Sequence, residues 1–234
     1  MPIAIITGGS KGIGKALVGR FANEGFSIAT CARSKADLEK LQSEINQKFP
    51  NITILCVQAD LSKKEEVAHF SGAVLAKWSN IDVLINNTGV FLPGEIHSES
   101  EGTLEKMIDT NLYSAYYLTR DIVPSMIEQK KGHIFNMCSV ASLKAYSNGG
   151  SYAISKFALL GFSKCLREEL KDKGVKVTSI MPGATWSDSW AGVDLPEDRL
   201  MPASDIADAI WGAFNLSKVG VIEDLVIRPQ LGDL

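Results

Sequence analysis

IAIITGGSKGIG, residues 3–14, decides the fold. A short apolar run, IAIIT, leads straight into glycines at positions 8, 12 and 14. A helical pattern then runs from about Ile13 to Asn23. Glycine lets a chain turn sharply off a strand and lets a ligand approach the backbone closely. The helix beyond offers unbonded N–H groups and the positive end of its dipole to an anion. Gly8, Ser10, Lys11, Gly12, Ile13 and Gly14 therefore form a candidate cradle for the pyrophosphate of a dinucleotide. The position directly after the first strand gives the glycines this meaning. A glycine-rich turn elsewhere would carry little.

Working outward, apolar strand-like runs alternate with helical segments. FSIATCA (26–32) precedes a charged helix over 35–48, and NITILCVQ (51–58) precedes one over 63–77. DVLINN (82–87) leads through a loop to a long helix near 103–129, and GHIFNMCS (132–139) leads to a helix near 150–172. VKVTSIMPG (175–183) is followed by an irregular stretch, a short helix over 204–214 and a last strand, EDLVIRP (223–229). Seven strands alternating with helices predict an α/β fold, a doubly wound parallel sheet of the Rossmann type. The central strands are continuous apolar runs, as expected where helices cover both faces. There is no low-complexity linker and no repeat, so residues 1–234 read as one domain. Ligands of such a sheet bind outside the carboxyl ends of the strands.

Composition excludes several classes. Of 234 residues, 24 are basic and 27 acidic, for a net charge of −3, and no basic run offers a surface to nucleic acid. No apolar run reaches the roughly 18 residues of a membrane span. MPIAIITGGS lacks the basic start of a signal peptide, so a cytoplasmic protein is expected. Cys31, Cys56, Cys138 and Cys165 form no C-x-x-C pair and read as reduced, small apolar residues. His69, His97 and His133 are scattered, and no metal site is expected.

The spacing of residues 7–14 is T-G-x-x-x-G-x-G, which resembles the short-chain dehydrogenases/reductases, and the likeness extends along nearly the whole chain. Asp60 and Leu61, after the third strand, match that family's adenine-contacting pair. NNTG (86–89) resembles its N-N-A-G, with Thr88 in place of alanine, and brings in Asn87 and Gly89. Asn111 falls in the long helix where the family carries a catalytic asparagine. Ser139 ends the fifth strand, thirteen residues before Tyr152, and Lys156 follows four residues later. Pro182 and Gly183 end the sixth strand, and Thr185 and Ser187 stand near the family's nicotinamide-contacting positions. The resemblance implies that Ser139 binds the substrate oxygen, Tyr152 transfers the proton and Lys156 holds the nicotinamide ribose. It also implies that Asn111 positions a water of the proton relay, and that hydride passes between a nicotinamide and a carbonyl or alcohol carbon.

The tyrosine and lysine have a physical reading of their own. With 5 Tyr and 18 Lys, chance alone yields about 0.4 matches to Y-x-x-x-K, so the pair matters only for its place after strand five. Positions i and i+4 share a helix face. A cation about 4 Å from the phenol favours phenolate by about 4 kcal/mol at an effective dielectric near 20, enough to bring its pKa from about 10 toward 7. A proton-transfer group works best with its pKa near the working pH. An NAD-binding sheet of this type carries an acid about 20 residues past its glycines. Here Ala32 stands eighteen residues past Gly14 and Arg33 follows. Arg33 and Lys11 thus predict NADP(H), with two cations and no repelling carboxylate around the 2′-phosphate.

Candidate substrate walls are Phe91, Val140, Tyr146 and the substrate loop at about 184–203, which carries Trp186 and Trp190. The loop and the ending VIEDLVIRPQLGDL resemble bacterial sepiapterin-reductase-like members of the family, which implies a sepiapterin-like carbonyl substrate. A 3-oxoacyl thioester reductase shares every motif above, and a catalytically silent nucleotide-sensing protein is the remote alternative. In the 150–172 helix, positions 154, 158, 161 and 165 are expected to face the sheet. Phe157 and its neighbours widen the apolar stripe beyond what one face needs, and in the family this helix and the 103–129 helix pair across a two-fold axis. A homodimer or homotetramer is expected.

Overall fold

The computed structural model describes residues 1–187 and 194–233. Seven strands, β1 (Ile3–Thr7), β2 (Ser27–Ala32), β3 (Ile54–Gln58), β4 (Val83–Asn86), β5 (Gly132–Met137), β6 (Val175–Pro182) and β7 (Asp224–Ile227), form one parallel sheet in the order β3-β2-β1-β4-β5-β6-β7. The order reverses between β1 and β4, where a doubly wound sheet opens its binding crevice. This is the predicted Rossmann-type fold.

Side chains alternate across the strands and divide the core in two. Ala4 and Ile6 of β1 point to one layer, built from Leu17, Val18 and Phe21 of helix α1 (Gly12–Asn23), Leu41 and Ile45 of α2 (Lys35–Lys48), and Ile206 and Ile210 of α7 (Ala203–Phe214). Ile3 and Ile5 point to the other, built from Phe70 and Val74 of α3 (Lys64–Lys77), Ile122 and Met126 of α5 (Ser114–Gln129), and Leu166 and Leu170 of α6 (Gly150–Leu170). Strands so enclosed need apolar residues at every position, which explains their continuous runs.

Two expectations are corrected here. The 103–129 segment is not one helix: α4 (Thr103–Ile108) passes through a π-helical turn, Asp109–Tyr113, into α5. Asn111 lies in that wide turn and is buried. Single π turns inside α-helices recur at functional sites.

The expected inner face of α6 is also inverted. Ile154, Gly161 and Cys165 are exposed and Ala158 is half-buried, whereas Ser151, Ser155, Lys156, Leu159, Ser163, Leu166 and Leu170 are buried. The buried serines have partners: Asn111 Nδ2 donates to Ser155 Oγ at 2.9 Å, and Asn136 Nδ2 donates to Ser163 Oγ at 2.8 Å. Bonded in this way, small polar groups are buried at little cost, while Ile154 and Phe157 are left outside.

Candidate active site

Three turns meet at the carboxyl ends of the central strands. Thr7 Oγ1 accepts the backbone N–H groups of Asn87 and Thr88, both at 2.9 Å, and Asn87 Nδ2 donates to the Thr7 carbonyl at 2.8 Å. The glycine turn after β1 is thereby fastened to the NNTG turn after β4. Gly8 adopts φ +66°, and a Cβ on Gly14 would overlap the Gly8 carbonyl and stand 2.7 Å from Asn87 Nδ2. Helix α1 starts at this turn without a side-chain cap, so its first N–H groups are not claimed by a capping side chain. An open cradle edged by backbone donors suits a pyrophosphate, so the residues present fit a dinucleotide. Ser10 and Ile13 line the cradle and are half-buried, and Ser187 reaches it too: its Cβ would lie 3.6 Å from a Cβ on Gly12.

The predicted cofactor residues divide in their surroundings. Arg33 is exposed beyond β2, with its carbonyl accepting from Gln58 Nε2 at 3.0 Å. Lys11 pairs with Asp37 at 3.2 Å. The expectation of a site without a carboxylate is therefore corrected. Ser34 caps α2 by accepting the Asp37 N–H at 3.2 Å, and the cap sets Asp37 in the first turn facing Lys11. Lys11, and then the Ser34 hydroxyl, hold the Asp37 carboxyl below its usual range. The signal available in the sequence was the S-x-x-D spacing at a helix start. Asp60 orders its own turn through Ser62, accepting from its N–H at 3.1 Å and its hydroxyl at 2.8 Å, whereas the Leu61 side chain is buried in the core. Pro182 ends β6 and Gly183 follows it. Thr185 is buried and donates to the Gly183 carbonyl at 3.0 Å.

Asn111, Ser139, Tyr152 and Lys156 converge on one spot. The Asn111 amide clamps the loop after β4, accepting from Val90 N at 2.7 Å and donating to the Val90 carbonyl at 3.0 Å. Gly89 lies between the partners: a Cβ there would stand 3.3 Å from Asn111 Oδ1 and 3.5 Å from Lys156 Nζ. Ser139 caps a short 3₁₀ turn, Val140–Ser142, and is fixed from both sides: Ala141 N donates to its Oγ at 3.1 Å, and its own N–H donates to Ser142 Oγ at 3.2 Å. Ser155 and Ser142, which no reading of the sequence singled out, are the supports that hold Asn111 and Ser139.

The expected electrostatics of the tyrosine are corrected. Burial pushes the Tyr152 phenol above its ordinary pKa, and the hydrogen bond with Ser139 pulls the other way. Lys156 is itself buried, and burial lowers its pKa to about 8. Its ammonium donates to the Met137 carbonyl at 2.7 Å. Burial is the largest influence on both groups and disfavours the charged form of each, so Tyr152 is held as a protonated phenol.

Of the expected substrate walls, Phe91 meets the Tyr152 ring edge-on, with centroids 5.0 Å apart. Val140 follows Ser139 in the 3₁₀ turn. Tyr146 flanks a 580 Å³ groove with Ile96, Ala153 and Phe157, and its phenol is pushed up to about 12 by burial and by Tyr152. Trp186 sits at the neck of the following loop, its N–H donating to the Met201 carbonyl at 2.9 Å. Trp190 lies outside the described residues. Among the described residues no cluster of His, Cys, Asp or Glu could hold a metal, and no helix is long and apolar enough to cross a membrane.

A parallel sheet with a glycine cradle at its switch point and the Ser139, Tyr152 and Lys156 side chains beside it defines a dinucleotide-binding oxidoreductase. A family model, short chain dehydrogenase, matches residues 2–197, and the chain belongs to that family. It is 30% identical to the sepiapterin reductase of Chlorobaculum tepidum over 99% of this chain and 98% of that one. An alcohol dehydrogenase of the archaeon Thermococcus sibiricus, solved with 5-hydroxy-NADP, superposes with a TM-score of 0.89 at 28% identity, covering 98% of this chain and 97% of that one. A short-chain dehydrogenase of Sphingobium yanoikuyae, solved with NADPH, gives 0.86 at 27% identity, covering 97% and 87%.

Proposed function

We propose that this chain is a cytoplasmic NADP(H)-dependent carbonyl reductase, working on a sepiapterin-like side-chain carbonyl. The observation that carries the reading is the setting of Tyr152, whose ring centre lies 5.7 Å from the Lys156 ammonium and whose phenol burial pushes above its ordinary pKa. A protonated phenol is what reduction of a carbonyl needs, because the new alkoxide must receive a proton. In this reading Ser139 binds the substrate oxygen and stabilises the charge that develops there. Tyr152 donates the proton, and Lys156 holds the nicotinamide ribose. Asn111, anchored by Val90 and Ser155, positions the water from which Tyr152 is reprotonated.

NADP(H), when bound, supplies the hydride. Residues Gly8 to Gly14 would hold its pyrophosphate, Lys11 and Arg33 its 2′-phosphate, and Asp60 and Leu61 its adenine. Asn87 and Gly89 would flank its ribose, and Pro182, Gly183, Thr185 and Ser187 its nicotinamide. NADP(H) in solved neighbours and the absence of an acid at Ala32 support this choice. Phe91, Val140, Tyr146, Trp186 and Trp190 would line the substrate site, the last two from the substrate loop at about 184–203.

The substrate rests on likeness to the Chlorobaculum enzyme. The test is a panel of sepiapterin, an acetoacetyl thioester and simple ketones, read by NADPH absorbance. Sepiapterin should give the highest kcat/KM; a higher value with the thioester moves the chain to 3-oxoacyl reduction, and no turnover with any of them favours the nucleotide-sensing alternative. We also propose a homodimer or homotetramer through α5 and α6. The inverted α6 supports it, since Ile154 and Phe157 are 40% and 45% exposed on its outer face.

A further inference from the structure

The pattern VIEDLVIRPQLGDL has no task in the chemistry proposed above. In the fold, the residues after β7 turn back against the turn that follows β6, and Asp233 is the pivot. Its Oδ1 accepts the N–H of Ala184 at 3.0 Å, and its Oδ2 accepts from Arg228 Nε at 2.7 Å and Nη2 at 2.6 Å. The carbonyls of Gly232 and Asp233 accept from Arg199 Nη1 and Nη2 at 2.9 and 3.3 Å. One short segment thus grips the residue that leads into the substrate loop and the arginine that leads out of it.

Between these grips the loop has a closed neck. Trp186 N donates to the Met201 carbonyl at 2.9 Å, and Met201 N donates to the Ala184 carbonyl at 3.2 Å. Gly183 belongs to the same device, because a Cβ there would overlap Asp233 Oδ1. Only a residue without a side chain lets the carboxylate reach Ala184. The neck carries Thr185, and Ser187 beyond it faces the glycine cradle at Gly12.

We infer that Asp233 is a positioning residue for dinucleotide binding. By fixing Ala184, it sets where Thr185 and Ser187 stand against the cradle, while the backbone carbonyls of Gly232 and Asp233 hold Arg199. The inference rests on the reading of those two residues as cofactor contacts.

Two variants separate positioning from simple closure of the fold. Asp233→Asn keeps an oxygen for the Ala184 N–H, whereas Asp233→Ala removes it. Two measurements apply: NADPH affinity by fluorescence titration, and limited trypsinolysis. Arg199 is the only Lys or Arg between Lys176 and Lys218, so a cut after it yields a defined fragment. Asp233→Ala should weaken NADPH binding by about five- to tenfold, the worth of one lost hydrogen bond. It should also speed cleavage after Arg199 by about tenfold, as expected of a locally loosened segment, with the melting temperature close to that of the wild type. Asp233→Asn should stay within about twofold of the wild type in both, because its bond to Ala184 survives. Wild-type affinity and cleavage in Asp233→Ala, or equal damage in both variants, would overturn the inference. If Asp233→Ala does not fold, Gly183→Ala, which displaces the carboxylate, should speed cleavage after Arg199 by a similar factor, and wild-type cleavage there would overturn the inference. A wild-type chain that fails to bind NADPH would instead sink the cofactor reading, and with it the role in affinity, whatever happens at Arg199.

Discussion

The ammonium of Lys156 stands 5.7 Å from the centre of the Tyr152 ring and donates to the Met137 carbonyl. In the proposed reading the two residues have separable duties, proton transfer at Tyr152 and holding of the nicotinamide ribose at Lys156. Tyr152→Phe should lower kcat by roughly 10²–10⁴, the usual worth of a general acid, with NADPH affinity and melting temperature retained. Lys156→Ala should weaken NADPH binding as well. Measuring both parameters for both variants tests the division; near-normal kcat in Tyr152→Phe would remove the phenol from the chemistry.

Lys11 shares its charge with Asp37, so the two predicted phosphate readers are unequal. Arg33→Asp should shift the NADPH/NADH preference by about ten- to a hundredfold toward NADH, since a hydrogen bond to a charged group contributes about 1.5–3 kcal/mol. Asp37→Asn should move preference the other way, by removing a like charge from the 2′-phosphate. The ratio of kcat/KM for the two cofactors is the readout. An unmoved ratio in Arg33→Asp would assign the phosphate to other residues.

His133 gives the fold a dependence on acid. It is 2% exposed, and its Nε2 lies 2.7 Å from Thr178 Oγ1, whose own proton goes to the Ile222 carbonyl. Nε2 therefore carries the ring proton, and buried Nδ1 has no partner among the described residues. Burial, with Lys176 acting the same way, lowers its pKa from 6.5 to about 3. Below about 6.5 the unfolded chain binds a proton that the folded chain refuses. The stability from this site is thus complete above that pH and is lost as pH falls toward 3. At pH 4.5 the loss from this residue alone should be about 2–3 kcal/mol. Urea unfolding at pH 7 and 4.5 should show this loss in the wild type and its absence in His133→Leu; parallel losses would mean that the histidine titrates normally.

The outer face of α6 should control assembly. Phe157→Glu places a charge on the exposed stripe, away from Tyr152 and Lys156, and should turn the assembled protein into monomers in light scattering. A wild-type mass of 25.3 kDa, that of one chain, at micromolar concentration would refute the proposed oligomer. An assembled Phe157→Glu protein would move the interface elsewhere.

The glycine spacing after β1 and the sevenfold alternation of strands and helices were enough to determine the sheet and its doubly wound topology, and the resemblance to the family pointed to Ser139, Tyr152 and Lys156. These are local matters: a turn needs its glycines, and an enclosed strand needs its apolar run. What the tertiary structure decided depends on partners distant in the chain. Ile154, Gly161 and Cys165 read as an inner face because serines look like surface residues, until Asn111 and Asn136 arrive from other elements to bond Ser155 and Ser163. The π turn at Asn111 follows no local pattern, and the amide that it presents is clamped to Val90 and Ser155. The charge of Lys156 was legible, but its effect on Tyr152 was not, because burial, which only packing creates, opposes both charged forms. Asp233 was one letter of a recurring ending; the fold carries it back 49 residues to Ala184 and makes it part of the site's frame.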